Sequence, residues 1–319
     1  MKTAIITGIT GQDGAYLSRL LLGKGYRVVG LVRSLDSANT SRLKYLGVAE
    51  QINITECDLQ DLSHIINIIN AERPDEIYNL AAQSSVSLSF QQPIGTLQFN
   101  INSVINILEA IRLIDKSIRF YQASSSEMYG TIEALPITEE SKFHPLSPYA
   151  ISKVAAHHIT INYRESYGLF SSCGILFNHE SYLRGENFFA KKVIHAALEI
   201  SKGKRDHIEL GNLNVKRDFG SSEKYVEVMW MMMQAEKPDD YVICSGKSIT
   251  LGDIVEYVFV KLGVGQDRIV INPKLFRPTE IVDIYGSAEK ARATLGWDYH
   301  MNFFQVLDMI IEEEIRNDF

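Results

Sequence analysis

Three glycines, Gly8, Gly11 and Gly14, follow the short apolar run Thr3–Thr7 and precede a helical period through Tyr16–Leu22. No other feature limits the fold so strongly. A strand that ends in G-x-x-G-x-x-G and continues as a helix turns tightly at the first glycine. It brings backbone amides against an anion at the second and packs helix on strand at the third. Lys24-Gly25 closes the helix and Tyr26–Val32 reads as a second strand, so the chain opens as a βαβ unit.

Strand-like runs recur at Ile52–Glu56, Glu76–Leu80, Ile118–Gln122 and Ser172–Leu176, separated mostly by helical stretches, of which Asn102–Ile114 and the one beginning near Tyr149 are long and periodic. This alternation predicts an α/β fold: a Rossmann-type doubly wound parallel sheet with helices on both faces. Beyond Asn178 the pattern loosens into charged and glycine-bearing loops around one further strand, Tyr241–Ser245, and several helices. The expected division is a dinucleotide domain over 1–177, its sheet completed by about 212–246, and a smaller interleaved substrate lobe from 178–211 and 247–319. Met229–Met233 is expected to pack in a core and Glu312–Glu314 to form a solvated helix face.

With 319 residues, a net charge of −7 and a pI near 5.7, the chain is not built to coat nucleic acid or an anionic membrane, so an anionic ligand needs a local cluster of cations. No apolar run reaches the length of a membrane span, and a cytoplasmic protein is expected. Cys57, Cys173 and Cys244 are far apart and suit reduced, buried thiols. The one adjacent histidine pair, His157-His158, diverges around a helix, and no metal is expected.

The glycine turn points to a dinucleotide, with Gly8, Thr10, Gly11, Gln12, Asp13 and Gly14 around its pyrophosphate. A cofactor with a free ribose 2′-hydroxyl is usually held by an acid at the end of the second strand. Here that strand ends in Val32-Arg33-Ser34. Arg33, helped by Ser34 and Arg42, suits a 2′-phosphate, which favours NADP over NAD. Asp58 and Leu59, after the third strand, face the expected adenine edge. Leu80, Ala81 and Ala82, after the fourth, offer small residues where the chain must pass close to a cofactor.

Tyr149 and Lys153 are spaced as Tyr-x-x-x-Lys, about one helical turn apart. A free tyrosine has a pKa of roughly 10. A cation held nearby favours the phenolate and brings the group toward its working range. The spacing is common on helix surfaces and gains meaning from the dinucleotide turn upstream. Together they predict hydride transfer at a secondary alcohol, Tyr149 taking the proton, Lys153 stabilising the phenolate and Ser125 bonding the developing carbonyl. Glu127, two residues beyond the serine, is superfluous for simple oxidation. It suits a second proton abstraction, at a carbon made acidic by a new ketone.

On these residues the chain resembles the GDP-mannose 4,6-dehydratase family of extended short-chain dehydrogenases/reductases. The matching stretches are GITGQDGAYL from Gly8, YNLAAQS from Tyr78, FYQASSSEM from Phe120, SPYAISK from Ser147, GILFNHES from Gly174, RGENF from Arg184, LGNLNVKRD from Leu210 and FRPTE from Phe276. The resemblance implies a lyase using tightly bound, recycled NADP. Hydride leaves C4 of the sugar, Glu127 removes the C5 proton, water leaves from C6, and hydride returns there. His179 and Arg184 are expected beside the nicotinamide half of the cofactor, and Ser84 beside cofactor and substrate. The GDP-sugar is expected against Asn178, Lys192, Arg217, Arg277 and Glu280, with Ser126 and Glu186 nearby, Arg217 taking the diphosphate bidentately. A homodimer or homotetramer is implied, pairing through Asn102–Ile114 and the Tyr149 helix.

Ser125 stands where the family usually has threonine and keeps the hydroxyl; further departures from the family pattern occur at Tyr182-Leu183, at Phe219 and Ser221-Ser222, and at Lys224. They raise a modified sugar, such as a GDP-manno-heptose, as an alternative substrate. A GDP-4-keto-6-deoxy-sugar reductase shares the Ser/Glu/Tyr/Lys set and is the competing activity. The intact set disfavours a non-catalytic scaffold.

Overall fold

A computed structural model describes residues 1–317. Its main sheet has seven strands in the order β10-β6-β5-β4-β1-β2-β3, every neighbouring pair parallel. These are β1 Thr3–Thr7, β2 Arg27–Val32, β3 Asn53–Glu56, β4 Glu76–Asn79, β5 Arg119–Ser125, β6 Ser171–Leu176 and β10 Asp240–Ile243. All five residues of β1 are buried, as expected for a central strand covered on both faces. The chain winds outward from β1 through β2 to β3, then returns to place β4 on the other side. The crevice between β1 and β4 is therefore the point where such sheets bind ligands.

The crossover helices are α1 Gln12–Gly23, α2 Ser41–Tyr45, α3 Leu62–Glu72, α4 Val86–Gln91, α5 Pro93–Ile114 and α6 Pro148–Tyr167. Ser147 caps α6 by accepting from Ala150 N, and Pro148 occupies its first turn, which fixes Tyr149 at the mouth of the helix. In contrast, α1 starts from Gly11, which has no capping side chain, leaving its first amides without that partner.

After β6 a single residue, Phe177, separates the main sheet from β7 Asn178–Glu180. The second sheet joins β7 in parallel to β9 Lys216–Ser221, which pairs antiparallel with β11 Ser248–Thr250. A two-stranded piece pairs β8 Ile208–Leu210 with β12 Ile269–Ile271. Around these lie α7 Phe189–Ser201, α8 Ser222–Gln234, α9 Leu251–Lys261, α10 Glu289–Leu295 and α11 Phe303–Arg316. The several helices are as the sequence predicts, whereas β7, β8, β9, β11 and β12 are strands where it predicts loops. Asn178-His179-Glu180 and Lys216-Arg217-Asp218 are too polar to read as strands, yet ladder bonding holds them there.

Met229, Met232 and Met233 pack in the core where α8 meets α1. The three cysteines are free and buried. The solvated face expected at Glu312–Glu314 needs correction. Glu314 is buried and ion-paired with Lys191 and His195, because the last turn of α11 closes over α7. No helix of the described residues is long and apolar enough to cross a membrane.

Candidate active site

A cleft of about 830 Å³ opens over the C-terminal ends of β1, β4, β5 and β6 and runs under the second sheet. The glycine turn forms one wall. Gly8 has φ +68°, and a Cβ there would lie 2.9 Å from Ala81 N, while one on Gly14 would run into the Gly8 carbonyl. Thr7 Oγ1 accepts from Leu80 N and Ala81 N and donates to Asn79 Oδ1 at 2.7 Å. Asn79 donates to Gln122, and Gln122 to the Ala123 carbonyl, which also accepts from Lys153 Nζ at 2.9 Å. One line of hydrogen bonds thus crosses the floor of the cleft from the glycine turn to the catalytic helix.

Ser125, Glu127, Tyr149 and Lys153 all line the cleft. Ser125 ends β5, and its Oγ accepts from Glu127 N across a tight turn. Burial pushes the Tyr149 phenol up to about 12, Glu127 adds to the rise, and the Ser125 hydroxyl and Arg184 oppose it. Burial also pulls Lys153 down to about 8. Its ammonium lies 5.8 Å from the centre of the tyrosine ring and bonds to the Ala123 carbonyl.

Thr10, Gly11, Gln12, Asp13, Leu80, Ala81, Ala82 and Ser84 reach the same cleft, and so do Asn178, His179, Arg184, Lys192, Arg277 and Glu280. Seven expected residues do not. Arg33 is exposed and makes no hydrogen bond or ion pair among the described residues, with Ser34 half-buried beside it. Asp58 caps the turn at Gln60 N, and Leu59 is packed in the core beneath α3. Ser126 is buried behind the catalytic turn, and Glu186 is exposed outside the cleft. Arg217 is buried, and its Nη1 donates to the carbonyls of Lys216 and Ile281 at 2.8 and 2.6 Å. That nitrogen is already committed, against the bidentate role expected for it.

Sequence reasoning missed the wall made by Phe188, Phe189, Leu210, Gly211, Asn212 and Leu275. The Gly211-Asn212 turn after a short apolar run was the available signal. It also gave Arg42 too small a part. Arg42 enters the cleft and ties it together, donating to the carbonyls of Leu183 at 2.7 Å and Thr10 at 3.0 Å. Most departures from the family pattern lie elsewhere. Tyr182 packs tilted against Tyr45, Phe219 stacks on Phe303, Leu183 is core, and Lys224 pairs with Glu227 at the surface. Of the departures only Ser125, which keeps the hydroxyl, lines the cleft, and Ser222 reaches it through Asp13.

His179 links the halves of the site. Its Nδ1 faces the Phe177 carbonyl at 2.7 Å, and its Nε2 faces Asp13 Oδ2 at 2.9 Å. A carbonyl only accepts, so Nδ1 holds a proton, and a carboxylate opposite Nε2 calls for the imidazolium. Burial alone would lower the pKa of His179, but Asp13 more than reverses this and raises it. Burial alone would raise Asp13, but His179 and Ser222 hold it well below the usual carboxylate range. The pair's contribution is fully present between the ordinary carboxylate and histidine values. It is lost as pH falls through the depressed pKa of Asp13 or rises through the elevated pKa of His179. His179→Gln is expected to cost about 1–3 kcal/mol in urea unfolding at neutral pH, because the half-buried Asp13 keeps its bonds from Ser222 and Gln12 but loses its counter-charge. The variant's stability should no longer carry the decline that His179 gives the wild type above neutral pH.

The trio His157, Cys173 and Asp240 has ligand atoms within 4.8 Å of one another. Asp240 is already held by both arms of Arg164, at 2.9 and 2.8 Å, and His157 Nδ1 bonds to Ser124 Oγ. This is a structural network beneath β6.

Solved structures with the same construction include nucleotide-sugar 4-epimerases and 4,6-dehydratases. A solved dTDP-glucose 4,6-dehydratase from Bacillus anthracis, in complex with NAD, superposes with a TM-score of 0.87 at 20% identity, covering 100% of this chain and 98% of that one. RMD from Pseudomonas aeruginosa, complexed with NADPH, gives 0.81 at 24% identity, covering 99% and 100%. Those likenesses establish the fold. The family model described as GDP-mannose 4,6 dehydratase matches residues 5–310. GDP-mannose 4,6 dehydratase 2 of Arabidopsis thaliana is 43% identical over 326 residues, covering 99% of this chain and 87% of its own. With the glycine turn, the Ser/Glu/Tyr/Lys set and a match over nearly the whole length, this chain belongs to the GDP-mannose 4,6-dehydratase family.

Proposed function

We propose that the protein is a hydro-lyase that converts GDP-mannose to GDP-4-keto-6-deoxymannose with no net redox change. One observation carries the reading: Glu127 stands in the same cleft as Ser125, Tyr149 and Lys153, beside Arg277 reaching over from the second half of the chain. A simple dehydrogenase has no use for that carboxylate.

The residues fit a nicotinamide dinucleotide. The uncapped first turn of α1 and the space kept by Gly8 and Gly14 suit its pyrophosphate, and His179 neutralises the Asp13 carboxylate that would otherwise oppose an anion there. When bound, such a cofactor supplies the hydride acceptor and donor and, in its oxidised form, a positive charge. Tyr149 accepts the C4 hydroxyl proton, Ser125 holds the oxygen that becomes the ketone, and Lys153 fixes the floor of the site. The ketone acidifies C5, where Glu127 takes the proton and passes it to the departing C6 hydroxyl, which leaves as water. Arg277, Lys192 and Glu280 are left for the nucleotide sugar, and residues 178–211 and 247–317 supply most of that half of the cleft.

NADP is the preferred cofactor. Arg33 stands at the C-terminal end of β2 with its guanidinium uncommitted, which suits a 2′-phosphate. Arg33→Ala is expected to weaken NADP⁺ binding about tenfold while leaving NAD⁺ affinity unchanged. An unchanged ratio of the two dissociation constants removes Arg33 from this role. Exposed Ile94 and Leu113 on α5 and Ile151 and Tyr167 on α6 support pairing through those adjacent helices.

The deciding experiment incubates the purified protein with GDP-mannose and no reductant. A product lighter by one water, with a 4-ketone and no net change in nicotinamide absorbance, is expected. No conversion, together with NADPH-dependent reduction of a supplied 4-keto sugar, makes the protein the reductase.

A further inference from the structure

Arg277 Nη1 lies 3.7 Å from Glu127 Oε1, so without ligand the candidate base faces a cation supplied by the other half of the chain. The pair is unusual in how little else holds it. Arg277 is about a third exposed and makes no hydrogen bond among the described residues, its one ion pair being this one. The strap that carries it is fixed on either side, by Asn272 N to the Leu210 carbonyl and by Thr279 Oγ1 to the Leu146 carbonyl, which leaves the guanidinium free to turn. Arg217, the other cation close to Glu127, is buried and pinned by two backbone carbonyls.

A cation beside a carboxylate opposes the arrival of a proton, the wrong environment for a base about to take one. A diphosphate entering the cleft presents a denser negative charge and a better fork for an arginine than a single carboxylate at 3.7 Å. We infer that Arg277 caps Glu127 in the free protein and is drawn off it by the diphosphate of a nucleoside diphosphate, which frees the base only when substrate is in place. Arg277 is then a positioning residue that couples nucleotide recognition to proton abstraction, and the inference rests on the dehydratase reading of this cleft.

If Glu127 and the diphosphate compete for Arg277, removing the charge of Glu127 must tighten nucleotide binding, and must do so through Arg277. The test is GDP affinity by calorimetry for wild type, Glu127→Gln, Arg277→Ala and the double variant, with Arg277→Gln replacing Arg277→Ala if the latter does not fold. Glu127→Gln is expected to tighten GDP about two- to fivefold, the worth of a partly exposed ion pair. The same change is expected to have no effect in the Arg277→Ala background. A gain of equal size in both backgrounds, or none in either, overturns the cap while GDP binding itself stands. Failure of all four proteins to bind GDP sinks the nucleotide-sugar reading and the cap with it.

Discussion

Glu127→Gln should lower water loss from GDP-mannose by about 10²–10⁴-fold while oxidation at C4 continues. The amide keeps the shape of the side chain but cannot accept the C5 proton. Chemistry should therefore stop halfway, and near-ultraviolet absorbance of the reduced nicotinamide should accumulate on mixing enzyme with substrate. Dehydration at the wild-type rate would remove Glu127 from the reaction. Loss of both steps would point to a role at C4, which its position two residues beyond Ser125 does not favour.

Tyr149→Phe should abolish the earlier step by a comparable factor, so that no reduced nicotinamide appears and no deuterium placed at C4 is transferred. GDP affinity should stay within about twofold, since the substitution removes one hydroxyl and leaves Lys192, Arg277 and Glu280 in the cleft wall untouched. The phenol's rise to about 12 sharpens this expectation. At neutral pH the protein alone keeps Tyr149 protonated, and neither Lys153 nor Arg184 offsets the burial that does so. The missing stabilisation has to arrive with the oxidised cofactor, whose positive charge enters the same cleft. Tyr149 should therefore titrate far above neutrality in ligand-free protein and substantially lower once NADP⁺ is bound, measured by ultraviolet difference spectra of wild type against Tyr149→Phe.

The legible parts of the chain share a physical character. β1, β2, β4, β5 and β6 are largely buried runs bounded by turn residues, β3 is a short polar edge strand, and each appears within a few residues of where periodicity put it. Gly8, Gly14, Tyr149 and Lys153 owe their positions to local geometry, a turn or a helical period, and local geometry is written in adjacent residues. What stayed hidden depends on distant partners. His179 reads as one polar residue in a loop, and only β7 lying on β9 aims it at Asp13, 166 residues away in the chain. Glu314 reads as solvated because Lys191, which neutralises it, is on another helix. Arg217 is buried outside the cleft, because the Ile281 carbonyl that occupies it comes from a strap with no periodic signal.

The single residue between β6 and β7 has an evolutionary consequence. Phe177 N bonds to the Ile243 carbonyl, so even that one linking residue is pinned to the edge strand, and β10 itself comes from the chain between β9 and β11 of the second sheet. There is no joint at which one half could be exchanged for that of a relative. Grafting a foreign sugar-recognising half at residue 177 would strip β6 of its neighbour and shift Asn178 and His179 in the same stroke. New sugar preferences in such a chain are therefore reached by point changes along the cleft wall, with recombination closed off as a route.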